Sequence, residues 1–215
     1  NYAALLGLAD SLGFRTFGLV SHDVGAHVAQ AFARLYPERL SGLFFFDCPN
    51  PGIGKRWGEP SFMLETWYQY LNQQPWAADF VGSSRKACEL YLRHFFDHVA
   101  HRPGMFDDDI EAWVDTYLRD GNLQGGMNWY LAMQPTRLKM MLEGSPPMTK
   151  IMVPTCVRWG ASDKILKPEF ADRLAEYFHQ PDVQIVEGAG HFVHFERPDY
   201  AIEEITRFFD RVAAA

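Results

Sequence analysis

Residues 21–25 read Ser21-His22-Asp23-Val24-Gly25, and they sit where one kind of periodicity gives way to another. Before them, residues 16–20 form a short β-branched and apolar stretch. After them, residues 26–36 (AHVAQAFARLY) carry apolar side chains at helical spacing until Pro37 ends the run. A strand that turns at once into a helix, with small residues at Ser21 and Gly25 around a central acid, has the pattern of a nucleophile elbow. The small neighbours are expected to let strand and helix pack closely while the Asp23 side chain stays presented. Alone the pattern is weak, since an aspartate at a strand end often caps a helix.

Working outward, residues 3–12 are helical in spacing, and the apolar run 41–46 between turn residues reads as a strand buried on both faces. Beyond residue 148 the alternation resumes, with strands at 151–158 and 183–186 and helices at 169–177 and 199–211. Between these parts, residues 51–148 are rich in tryptophan and tyrosine. Their helical periodicity recurs at 62–71, 85–98, 109–118 and 127–133. The expectation is an α/β core, residues 1–50 and 149–215, with a mostly parallel sheet and a helical cap, residues 51–148, spliced into it.

The acid and histidine that an elbow requires follow in the expected order. Asp163 lies in a turn just past the strand at 151–158, and His191 follows the next strand. Loops at the carboxyl ends of parallel strands are where sites form in open α/β sheets. Asp47, after the strand 41–46, rivals Asp163 as the orienting acid, and the turn chemistry of GASD favours Asp163.

Three segments together, HDVG at 22–25, GASD at 160–163 and GAGHFVHFERPD at 188–199, resemble the epoxide hydrolase and haloalkane dehalogenase branch of the α/β-hydrolases. The resemblance extends over essentially the whole chain, and the epoxide hydrolases are the better match. It implies the α/β-hydrolase fold and hydrolysis of an epoxide to a vicinal diol through an ester of Asp23. A carboxylate needs no base to attack saturated carbon; His191 would activate the water that cleaves the ester, Asp163 would orient the ring, and the Val24 N–H would hold the oxyanion.

An epoxide oxygen leaves as an alkoxide and calls for an acid. The resemblance puts lid tyrosines at Tyr130, in Asn128-Trp129-Tyr130, and at Tyr68, in Trp67-Tyr68-Gln69-Tyr70, with Tyr70 as the substitute. Trp67, Trp129 and Phe192 are the expected substrate-binding side chains. Haloalkane dehalogenases usually carry a halide-binding Trp after the nucleophile, and fluoroacetate-type enzymes an Arg; Val24 stands here instead, which counts against the haloalkane or haloacid alternative. In the resembled family several strands and a His-Gly-x-Pro loop precede the elbow, whereas one helix and one strand precede Asp23. The N-terminal strands are therefore expected to be missing from this chain. That leaves a non-catalytic fragment as a reading of another class, and self-association or a complementing N-terminal segment to cover the strand at 16–20.

Bulk properties narrow the rest. The 215 residues are 47% hydrophobic with a formal net charge of -7, which argues against a nucleic-acid surface. Three cysteines fit neither a metal ribbon nor a disulfide frame, so a cytoplasmic setting is expected. No apolar run is long enough to span a bilayer. No cofactor and no metal are expected: His94, His98 and His101 share a helical face, but no carboxylate joins them at a ligand position.

Overall fold

The computed structural model describes residues 2–214. Helix α1 (Tyr2–Ser11) leads to strand β1 (Phe17–His22), which passes without a loop into α2 (Asp23–Leu35); strand β2 (Leu40–Phe46) follows. Six helices come next: α3 (Pro60–Glu65), α4 (Trp67–Leu71), α5 (Ala77–Val81), α6 (Arg85–Val99), α7 (Ile110–Tyr117) and α8 (Asn122–Glu143). The chain closes with β3 (Thr155–Gly160), α9 (Leu174–Tyr177), β4 (Asp182–Val186), α10 (Val193–Glu196) and α11 (Pro198–Ala213). Two compact units result. One holds the residues up to Ile53 and from Pro146 onward, and the other is Gly54–Ser145.

The strands form one parallel sheet in the order β1-β2-β3-β4. All four carboxyl ends therefore lie along one edge, and the residues that follow them are gathered there. The run Phe44-Phe45-Phe46 fixes the sheet between its helices, because successive side chains point to opposite faces. Phe44 and Phe46 pack with Val193, Ala201 and Phe208 of α10 and α11, while Phe45 meets Phe178 on the other side at 5.5 Å between ring centres. Each is at most 1% exposed, and such burial contributes on the order of 2 kcal/mol per ring.

Several boundaries differ from those the periodicity suggests, each for a local reason. The strand expected at 151–158 is two pieces: Ile151 makes an isolated bridge to Phe178, and β3 starts only after Pro154, which has no N–H for a ladder. The helix expected over 62–71 breaks at Thr66, whose hydroxyl donates to the Phe62 carbonyl at 3.1 Å and competes with the helical bond. In the opposite sense, α8 does not stop before Pro135 but continues to Glu143, where Gly144 at φ 89° ends it. The carbonyl that Pro135 leaves without an amide belongs to Leu131, on an exposed turn where water reaches it.

Candidate active site

The elbow is built as strain. Asp23 has φ 41°, one of three positive-φ residues other than glycine among those described. A left-handed aspartate of this kind costs on the order of 1 kcal/mol or more, sustained by β1 on one side and α2 on the other. Because Asp23 is the first residue of α2, its carboxylate lies where the helix dipole favours negative charge. The Val24 N–H belongs to the first turn, whose amides have no intrahelical acceptor. One expectation fails here: a Cβ built on Gly25 would meet nothing closer than Ser21 Cβ at 4.0 Å, so Gly25 is not required by close packing among the described residues.

Close approach is found instead at Gly160, at the end of β3. A Cβ there would fall 1.9 Å from the Gly190 carbonyl oxygen. Only glycine lets the loop after β3 lie against the loop after β4, and two backbone bonds hold the two together, from Ala161 N–H to Val186 and from Ser162 N–H to Ala189. Within the first loop, Asp163 N–H turns back to Gly160 at 3.3 Å.

Within that junction, Asp163 and His191 meet. His191 Nδ1 is 2.8 Å from Asp163 Oδ2, and Asp163 Oδ1 accepts from the N–H groups of Ile165 and Leu166 at 2.9 and 2.8 Å. Both side chains are buried. Burial works to lower the His191 pKa, but the Asp163 charge and hydrogen bond, with the charges of Asp23 and Glu196, outweigh it and leave it raised. Nδ1 bonded to the carboxylate leaves Nε2 as the nitrogen free to exchange a proton.

Asp47, the rival acid, is fully buried at φ 37°, and its Oδ1 accepts the Gly160 N–H at 2.7 Å. Burial first, and the Asp163 charge second, push its pKa well above the carboxylate range. Two carboxyls this close disfavour a second negative charge, which is the second cause of the Asp47 shift. Asp47, Asp163 and His191 present ligand-type atoms within 4.8 Å of one another. Asp163 and His191 spend Oδ2 and Nδ1 on each other, while Asp47 Oδ2 has no hydrogen-bond partner among the described residues.

Two neighbours complete this end of the sheet. His22 approaches the His191 carbonyl with Nε2 at 2.8 Å and packs its ring on His191, Phe192 and His194. Burial, then the charges of His191 and His194, hold its pKa well below the ordinary value. A neutral His22 must therefore donate from Nε2. Glu196, to which the sequence reading assigned no role, is buried and accepts the N–H groups of Gly190 and Phe192 at 3.0 and 3.1 Å. It thus clamps the backbone on either side of His191. Its only sequence signal is its place five residues on, within HFVHFERPD. Cys48 is close by, but burial and the Asp23 charge raise its pKa well above the thiol range, so it stays protonated.

The remaining expected residues belong to the helical unit. Tyr68, on α4, is 4% exposed and meets the Tyr130 ring of α8 edge-on, with ring centres 5.9 Å apart. Tyr70 points outward, 38% exposed. Trp67 packs among Tyr68, Tyr91 and His94, and Trp129 precedes Tyr130 on α8. On α6, His94 faces Trp67 and stacks on His98 with ring centres 6.5 Å apart, and His98 lies 3.2 Å from the Glu65 carboxylate. A cavity of about 100 Å³ adjoins the two tyrosines, lined also by Asn72, Tyr91 and Tyr117.

Residues 1–204 match the alpha/beta hydrolase family. Among curated proteins, epoxide hydrolase 1 of Caenorhabditis elegans is 26% identical over 210 residues, covering 94% of this chain and 50% of that protein. Human epoxide hydrolase 4 is 26% identical over 217 residues, covering 94% and 55%. The chain thus spans about half the length of these relatives. Among solved structures, the epoxide hydrolase CorEH superposes with a TM-score of 0.80 at 24% identity, over 98% of this chain and 74% of that one. The fold is that of the α/β-hydrolases.

Proposed function

This chain belongs to the alpha/beta hydrolase family, and from that premise we propose that it opens epoxides to vicinal diols through an ester on Asp23. The observation that carries the reading is the Asp163–His191 pair, buried at 2.8 Å, with the strained Asp23 close enough for its charge to act on His191. In the first step an Asp23 oxygen attacks an epoxide carbon and the C–O bond breaks. Tyr68 and Tyr130 protonate the departing oxygen. In the second step His191 Nε2 takes a proton from water, which attacks the ester carbonyl; the Val24 N–H stabilises the oxyanion, and Asp163 holds the imidazolium.

Trp67, Trp129 and Phe192 are the apolar side chains we assign to the substrate. The helical unit acts in this reading as the cap, as the source of the acid. Three buried free cysteines support a reducing, cytoplasmic setting. Among the described residues no helix is long and apolar enough to cross a membrane.

Styrene oxide and the purified protein test the reading. Diol should form, and Asp23→Asn should abolish it while the protein remains folded. His191→Gln should accumulate a protein heavier by one substrate, since alkylation needs no base and hydrolysis does. Diol formation undiminished in Asp23→Asn would remove Asp23 from the mechanism.

A further inference from the structure

Of the two tyrosines assigned as acids, Tyr68 has a side-chain partner in Gln69. Gln69 follows Tyr68 on α4 and is 6% exposed. Its Nε2 approaches the Tyr68 hydroxyl oxygen at 3.1 Å. On its other side, the Arg137 guanidinium of α8 bonds Gln69 Oε1 through Nη1. Arg137 is itself seated over the Trp57 ring, 4.7 Å from its centre.

The directions of these bonds follow from chemistry. A guanidinium has only donors, so the Gln69 atom facing Arg137 must be the carbonyl oxygen, and the amide NH₂ must face Tyr68. An amide NH₂ does not accept, so the Tyr68 oxygen is the acceptor in that bond. The Tyr68 proton is thereby excluded from that bond.

We propose that Gln69, oriented and polarised by Arg137, is a positioning residue that primes Tyr68 as the proton donor to the epoxide oxygen. This rests on the epoxide reading of the site. When Tyr68 gives up its proton, the negative charge appears on an oxygen that already accepts the Gln69 N–H. That bond strengthens as charge develops and stabilises the transition state more than the ground state. The positive charge on Arg137 draws electron density from the amide and adds to the effect. The step balances: the Asp23–carbon bond forms, the carbon–oxygen bond of the ring breaks, and the Tyr68 proton passes to that oxygen. The proton released when water cleaves the ester restores Tyr68.

Gln69→Met keeps the volume and removes the donor. Gln69→Glu is nearly isosteric and pairs with Arg137, but presents an acceptor to Tyr68. A purely structural Gln69 would tolerate Glu at least as well as Met; the relay predicts the reverse. In single turnovers with styrene oxide, Gln69→Met should slow ester formation by about tenfold, the loss of one charge-assisted bond, and Gln69→Glu by more. Ester hydrolysis should be unchanged in both.

An independent readout needs no substrate. The Tyr68 ring signal, followed by NMR with labelled tyrosine, should titrate at higher pH in both variants, and Arg137→Met should move it the same way. If folded variants leave the ester-formation rate and the Tyr68 titration unmoved, or Gln69→Glu matches the parent, the relay is wrong. If the titration shifts but the parent opens no epoxide, the relay stands as a device on Tyr68, and the epoxide reading is what falls.

Discussion

His191 Nδ1 and Asp163 Oδ2 face each other at 2.8 Å, while Asp47, the other acid at this end of the sheet, turns its Oδ1 to the backbone of Gly160. The two aspartates thereby serve different partners, and their amide variants should behave differently. In Asp163→Asn the ring loses its charged partner and its tautomer is no longer fixed, so ester hydrolysis should fall on the order of a thousandfold or more. In Asp47→Asn the charge that burial disfavours is removed, and the amide oxygen still accepts from Gly160. Turnover within a few-fold of the parent is expected, and a collapse in the Asp47 variant with an active Asp163 variant would exchange their roles.

The raised His191 pKa sets a pH dependence. The base must be neutral to accept a proton from water, so ester hydrolysis should increase with pH through an inflection above 6.5, the ordinary imidazole value. The same shift contributes stability that is fully present below 6.5 and is lost as pH rises through the folded-state pKa. Removing the Asp163 charge should move the inflection downward. Pre-steady-state hydrolysis of the ester across pH, in parent and Asp163→Asn, measures both; an inflection below 6.5 in the parent would contradict the geometry.

His22 gives the opposite sign. Held neutral in the folded state but protonated below about 6.5 when unfolded, it lowers stability as pH falls from 6.5, by up to about 1.4 kcal/mol per pH unit. His22→Asn keeps a side-chain donor for the His191 carbonyl and does not titrate. Urea unfolding at pH 5, 6 and 7 should give a shallower acid slope for the variant; parallel slopes would mean that the fold does not hold His22 neutral.

Glu196 offers a test of the loop. Its Oε1 serves two backbone donors, those of Gly190 and Phe192, and Glu196→Ala strands both in a buried site at a cost of roughly 2–4 kcal/mol. Glu196→Gln retains an acceptor and should lose less. Chemical denaturation orders the two variants, and equal losses would show that the loop is held by something other than this carboxylate.

Much of this arrangement is readable in the amino-acid order because it depends on local rules. The elbow announces itself at residues 21–25, and Asp163 and His191 follow strands whose apolar runs are plain. What resists reading depends on contacts distant in sequence or on single side chains. Thr66 breaks a helix through its hydroxyl, Pro135 fails to break one because its turn is exposed, and the raised pKa of Asp47 comes from burial beside Asp163. The partnership of Gln69 with Arg137 spans two helices and has no periodicity to betray it. Gly25 shows the reverse error, since the elbow pattern assigns it a packing role for which the described residues leave room.

Gly160 concentrates these long-range demands at one position. Its neighbours bring the Asp163 loop onto the His191 loop, and the space for a side chain is filled by backbone: Gly190 O at 1.9 Å and Ala189 O at 2.9 Å from a built Cβ. Backbone atoms of a strand end cannot swing aside as a flexible side chain would. In Gly160→Ala the two loops must separate by more than an ångström, which breaks the 2.8 Å Asp163–His191 bond and the Gly160 bond to Asp47 together. The β2–β3 pairing has no need to change, because it runs over residues lying before Gly160, and the shift falls on the end of the β3–β4 pairing, where Gly160 faces Val186. Ester hydrolysis should therefore fall by two orders of magnitude or more, as expected when a base is misplaced by about 1 Å, while Asp23 alkylation persists. Intact-mass detection of accumulated ester in a folded Gly160→Ala protein is the expected result. A variant that hydrolyses the ester at the parent rate would show that contact between the two loops is not what aligns the acid with the histidine.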